Sequence, residues 1–163
     1  MRKTLKFFHT IASCGLLGGF AAYAVVLIAA PQATAGEYAD MRATIAAIAG
    51  YLLIPSLAVA LVTGLLAMAV HRPFQELRWA WVKALLGIST FEATLGIVQS
   101  KANTAAALAE KIANGEPEVQ ALATAIGYEW HALGVITALA GANVVLGVWR
   151  PSLKRRRRPQ AAE

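Results

Sequence analysis

The chain has 163 residues, of which 58% are hydrophobic and only 15% charged, and its mean hydropathy is +0.55. A soluble domain carries roughly 25% charged residues, so this composition excludes an ordinary water-soluble fold and fits one compact membrane domain. The net charge is +6, but the cations collect at the ends of apolar runs, as membrane topology requires, so no nucleic-acid partner is expected; the one cysteine, Cys14, excludes an internal disulfide and a multi-cysteine zinc site.

Residues 5–30 form the first predicted span, with no charged residue from Phe7 to Ala30. Roughly 20 apolar residues cross a hydrocarbon core of about 30 Å. Met1-Arg2-Lys3 and the Ala33-Thr34-Ala35 pattern resemble a secretory signal with its cleavage site. The apolar stretch exceeds the roughly 7–15 residues of a signal core, so it reads as an uncleaved span. Ile11-Ala12-Ser13-Cys14 looks like a lipoprotein cleavage box, but the apolar run before it is too short. Cys14 therefore reads as a small residue packed against a neighbouring helix. Gly15 and Gly19 form a GxxxG pair that admits close approach of another helix, of the same chain in the favoured reading or else of a second subunit.

Pro31 stops this span. Residues 31–42 read as a polar loop with Glu37 and Asp40, and residues 43–70 as the second span. Pro55 near its middle predicts a kink, with Ser56 placed to satisfy the freed carbonyls. A basic connection follows from His71 to Arg78. The third span covers residues 79–100, opening on Trp79, Trp81 and Lys83 as an interfacial belt with a snorkelling lysine. Glu92 interrupts its apolar run.

Residues 101–127 keep helical spacing without membrane hydropathy. Ala105, Leu108 and Ile112 form one apolar stripe, and Val119, Leu122 and Ile126 another. Asn114-Gly115 predicts a helix stop, and Pro117 suits the first turn of the next helix. The two stripes are expected to face each other in a projecting hairpin. The fourth span covers residues 130–149, with Gly134, Gly141 and Gly147 on a small-residue face. Residues 151–163 are expected to form a basic, disordered tail that reads as a stop-transfer and topology signal, or else as a site for anionic lipid heads.

The fold class expected is all-α: a multi-pass membrane four-helix bundle with helices three and four extended into the hairpin. Arg2, Lys3, Lys6, Arg72, Arg78, Lys83, Arg150, Lys154 and Arg155 to Arg158 fall on one side. Arg42, Lys101 and Lys111 fall on the other. The positive-inside rule then places both termini in the cytoplasm, in a bacterial inner membrane. The lipid bilayer is the expected partner, and the hairpin offers a surface to another membrane protein.

Few residues here carry chemistry. There is no Gly-rich phosphate loop, nucleophile elbow or paired-cysteine signature. His9, about two turns inside the membrane boundary, is a candidate haem or copper ligand, or else a histidine hydrogen-bonded to a neighbouring helix. His71 reads as an interfacial side chain. His131, with Glu129 and Trp130, reads as an anchor at the opposite face. Glu92 is an intramembrane acid and a functional candidate. Ser56 and Asn143 are placed at similar depth, so a neutral Glu92 is expected to clasp Asn143, the alternatives being proton transfer or contact with a polar ligand.

The opening Leu5-Lys6-x-x-His9 resembles that of an uncharacterised family of predicted integral membrane proteins. It is also similar to copper-resistance-D-like proteins and to HemJ-type protoporphyrinogen oxidases. Thr63-Gly64-Leu65-Leu66 and Trp81-Val82-Lys83 carry the same resemblance over roughly residues 5–99. The resemblance implies that His9 matches a haem-ligand position. It also implies a histidine on the third span, where this chain reads Thr90-Phe91-Glu92-Ala93-Thr94. Copper ligation lacks a Met/His cluster, since only Met1, Met41 and Met68 occur. The expectation is a small inner-membrane protein holding haem at His9. The alternatives are a HemJ-like redox enzyme using His9 and Glu92, or a non-catalytic assembly partner docked through the hairpin.

Overall fold

A computed structural model describes residues 2–30, 34–70 and 75–149. His71, Pro31, Arg150 and the basic tail lie outside the described residues. The described chain is all-helical: α1 (Arg2–Ile28), α2 (Ala35–Ala47), α3 (Ile54–Val70), α4 (Arg78–Ala93), α5 (Ser100–Ala113) and α6 (Val119–Trp149). Two π-helical segments, Ile48–Leu53 and Thr94–Gln99, join α2 to α3 and α4 to α5. The result is four rods, Lys3–Ile28, Ala35–Val70, Arg78–Ala113 and Val119–Trp149, each long and apolar enough to cross a membrane.

The first rod turns its inner stripe, Ala12, Leu16, Phe20, Tyr23 and Leu27, toward the second and fourth. Their spacing of three to four residues is the helical repeat. The GxxxG pair serves this packing within the chain. A methyl added at Gly15 would lie 2.8 Å from Ser56 Oγ, and one at Gly19 would lie 2.6 Å from Leu53 Cδ2. Cys14, expected to pack against a neighbour, is instead exposed, because it lies between these inward positions and turns away.

The second rod starts at Ala35, not Ala43, so residues 35–42 are helix and not loop. Thr34 caps it, its hydroxyl accepting from the Glu37 N–H at 3.2 Å. With Glu37 at the third helical position, Thr34-Ala35-Gly36-Glu37 has the pattern of a capping box. The proline's effect is spread over the turn that precedes it. Pro55 offers no N–H to the carbonyl of Tyr51 and its ring crowds that carbonyl. The Ile48–Leu53 turn widens to π geometry, closed by the Ile54 N–H on Ala49 O. Ser56 meets α1 at Gly15, and among the described residues its hydroxyl makes no hydrogen bond to the freed carbonyls. The second π segment has no proline. Thr90 precedes it and Thr94 opens it, their hydroxyls bonded back to Leu86 O at 2.6 Å and Thr90 O at 2.7 Å, a pattern that bends helices. The two π segments meet where Gly50 packs on the Gln99 side chain.

At the end distal to the N-terminus the second and third rods, 36 residues each, run far beyond one bilayer core: about 54 Å against about 30 Å. There Ala105 and Ala109 pack on Leu122 and Ala125, flanked by Leu108, Ile112 and Ile126. Tyr38 and Ala39 of α2 join the same cluster, so three helices meet there. Val119, expected on the inner stripe, is 66% exposed. The turn between α5 and α6 is a Schellman stop. Gly115 has φ 92°, its N–H donates to Ile112 O, and the Glu116 N–H donates to Lys111 O. Pro117 precedes the helix rather than entering its first turn, since α6 begins at Val119.

Candidate functional site

At the proximal end, near the N-terminus, α1 packs along α3 but barely touches α6. The gap is a partly open cavity of about 520 Å³, lined by all four rods. Its walls are chiefly apolar, from Leu5, Leu16 and Leu57 to Ala84, Ala140 and Val144. His9, Thr63, Lys83, Thr90 and Asn143 supply polar groups, with Lys6 on the same wall as His9. A volume of this size falls in the range of small-molecule sites, about 300–1,000 Å³.

His9 is held in one orientation. Its Nδ1 lies 2.8 Å from Ala60 O, an acceptor only, so Nδ1 carries the proton and donates. The Thr63 hydroxyl, 3.2 Å from Nδ1, itself donates to Val59 O at 2.6 Å. The other ring nitrogen, Nε2, is then the unprotonated one, with no hydrogen bond among the described residues. The ring packs beside Gly64, where an added methyl would lie in ordinary contact, 3.5 Å from Cε1. An imidazole whose Nδ1–H is fixed by a backbone carbonyl and whose Nε2 is open is arranged as metal-binding histidines are.

Lys83 does not snorkel outward as the sequence suggests. Its Nζ reaches across to Asn143 O at 3.2 Å, and Asn143 Nδ2 answers to Lys83 O at 3.4 Å. Gly147 makes this possible, since a methyl there would sit 2.5 Å from Nζ. Of the belt residues, Trp79 is buried and Trp81 exposed. The expected Glu92–Asn143–Ser56 cluster does not assemble. Asn143 pairs with Lys83, Ser56 faces Gly15, and Glu92 is exposed. The reason is helical phase: Thr90 and Thr94 face the core, and the residue midway between them points away.

His131 is exposed toward the other end, its Nδ1 donating to Gly127 O at 2.7 Å, and does not line the cavity. Among the described residues no group of three or more His, Cys, Asp or Glu gathers around a metal-sized point.

A second polar site, unforeseen in the sequence, lies toward the distal end. The Arg42 guanidinium forms an ion pair with Glu129 through Nη2 and Oε2, and the Tyr23 hydroxyl donates to Glu129 Oε1. All three are buried, at 0% exposure for Arg42 and Tyr23 and 1% for Glu129. Sequence reading treats Arg42 as a loop charge and Glu129 as an interface anchor; the structure corrects both. Helical spacing carries the signal. Arg42 falls in line with Ile45 and Ala49, and Glu129 with Leu122, Ala125, Leu133 and Ile136. Arg42 Nε and Nη1 have no partner among the described residues.

No curated protein and no solved structure matches the chain. The model of one family does, over residues 3–151, which takes in all four rods, the cavity and the buried triad. The chain therefore belongs to the family described as predicted integral membrane protein, DUF2269.

Proposed function

We propose that this membrane protein holds haem in the proximal cavity, with His9 Nε2 as a ligand to its iron. The observation that carries this reading is the Nδ1–H bond to Ala60 O inside an apolar cavity of about 520 Å³. The residues present fit the group. His9 offers an oriented nitrogen, the aliphatic walls suit a macrocycle, and Lys6 and Lys83 are cations suited to its carboxylates. Bound haem would supply one-electron chemistry. The chain's own part is to orient the ligating nitrogen and keep water from the apolar walls. In this reading the cavity opens on the cytoplasmic side of a bacterial inner membrane, with both termini in the cytoplasm, as the charge asymmetry supports.

The test is a visible spectrum of protein purified in mild detergent from haem-replete cells, with and without dithionite. A Soret band that shifts on reduction and is lost in His9→Ala is the expected result. A colourless wild-type protein refutes haem binding. It would leave His9 a structural hydrogen-bonding residue and turn attention to the surface of residues 101–127 as a docking site.

A further inference from the structure

We propose that two copies of this chain pair through the outer face of the third rod, with Glu92 of each copy meeting Glu92 of the other. Glu92 is exposed on a rod that crosses the membrane, and no hydrogen bond or ion pair among the described residues involves it. It lies about 16 Å along the helix from Trp81, roughly half of a 30 Å hydrocarbon core. Its exposed neighbours Leu85, Ile88 and Leu95 are lipid-compatible. An acidic group left facing lipid at that depth costs about 2.5–3.5 kcal/mol even on the mildest scale. A partner that satisfies the carboxyl relieves that cost.

The geometry around Glu92 suits close approach of another helix. Ser89, Glu92, Gly96, Ser100 and Asn103 are all exposed. The π turn Thr94–Gln99, with more residues per turn than an α-helix, sets the helical phase back, which brings Gly96 and Ser100 nearer to line with Glu92. A methyl added at Gly96 would touch nothing in its own chain. Small and polar residues in such a line are the common material of helix contacts in membranes.

The occupant follows from self-complementarity. A two-fold axis along the membrane normal brings identical residues to the same depth. A neutral carboxyl group is both donor and acceptor, so two of them satisfy each other. A partner of opposite charge would need a mid-span cation; Lys83 lies only about 3 Å along the helix from Trp81, well short of the depth of Glu92, and is turned inward to Asn143.

Single cysteines at Ser89, Gly96 and Ser100, each in a Cys14→Ser background, test the pairing in native membranes under mild oxidation. Covalent homodimers are expected at one or more of these positions and not at a Val25→Cys control, which is exposed on α1. Adding Glu92→Leu should weaken dimerisation by roughly 3–30-fold, the range of one interhelical hydrogen bond. Glu92→Gln, which can still donate and accept, should retain it. Both variants alter an outward side chain, and helix content by circular dichroism checks their folding. Three results would overturn the proposal: no homodimer at any position, cross-linking indifferent to Glu92→Leu, or cross-linking to a different polypeptide.

Discussion

Replacing Glu129 with Ala should be among the most damaging single changes in this protein. The carboxylate is 1% exposed and receives both the Arg42 guanidinium and the Tyr23 hydroxyl. Its loss strands a fully buried cation, whose Nε and Nη1 already lack partners among the described residues. Breaking a buried pair from one side costs about 3–5 kcal/mol, because the remaining charge keeps its desolvation cost and loses its attraction. Tyr23→Phe removes only one hydrogen bond to a charged acceptor and should cost about 1.5–3 kcal/mol. Replacing the pair by apolar groups, Arg42→Met with Glu129→Leu, removes the stranded charge and should recover much of the loss. The assay is reversible unfolding in mixed detergent and SDS micelles, followed by circular dichroism, on the single and double variants. If Glu129→Ala were within 1 kcal/mol of wild type, or if the double variant were as unstable as the sum of the singles, the buried-charge argument would be wrong.

Other consequences can be checked separately. If His9 holds haem as proposed, Gly64→Ala, whose methyl lies 3.5 Å from His9 Cε1 in ordinary contact, should leave the reduced spectrum unchanged, while Gly64→Phe should displace the ring and abolish the band. Gly19→Ala puts a methyl 2.6 Å from Leu53 Cδ2 and should cost about 1–3 kcal/mol in the same unfolding assay. Thr34→Ala removes the cap of α2 and should cost about 1 kcal/mol, whereas Thr34→Ser should cost little. Gly115→Ala forces a side chain into φ 92° and should destabilise by about 1 kcal/mol; a stabilising effect would mean that the turn is not left-handed there.

The four membrane-crossing rods were legible because hydropathy over 20 or so residues reports directly on lipid compatibility. Local stops were legible too. Asn114-Gly115 ends α5 through a glycine at positive φ, as its chemistry suggests. The start of α2 is hidden by the polarity of residues 35–42, which resembles a loop, although Thr34 and Glu37 hold a capping pattern. Ser56, Glu92 and Asn143 were grouped by depth alone. Depth fixes one coordinate of a helical residue, and phase fixes which neighbour it meets. Phase would have turned Glu92 away from the core and brought Arg42 and Glu129 inward, each in line with apolar residues on its own helix. The orientation of His9 was not legible at all, since it depends on Ala60 O, a backbone atom on another rod.

These placements give α1 two unlike ends. His9 and Tyr23 lie four turns apart, about 21 Å, on nearly the same face. Between them that face is apolar, with Ala12, Leu16 and Phe20 buried. At Tyr23 the helix is tied to α6 through Glu129, and that carboxylate is tied in turn to Arg42 of α2. At His9 the helix is tied only to α3, through a backbone carbonyl and a threonine hydroxyl. The contact between α1 and α6 is thus secured at the distal end and open at the proximal end, which is where the cavity forms. A charged clasp is a poor source of net stability, but it is intolerant of misalignment, because a small slip exposes buried charge to unpaired surroundings. The clasp thus ties α1 to α6 at the distal end, while at the proximal end His9 shares the lining of the cavity with Asn143 and Val144 of α6.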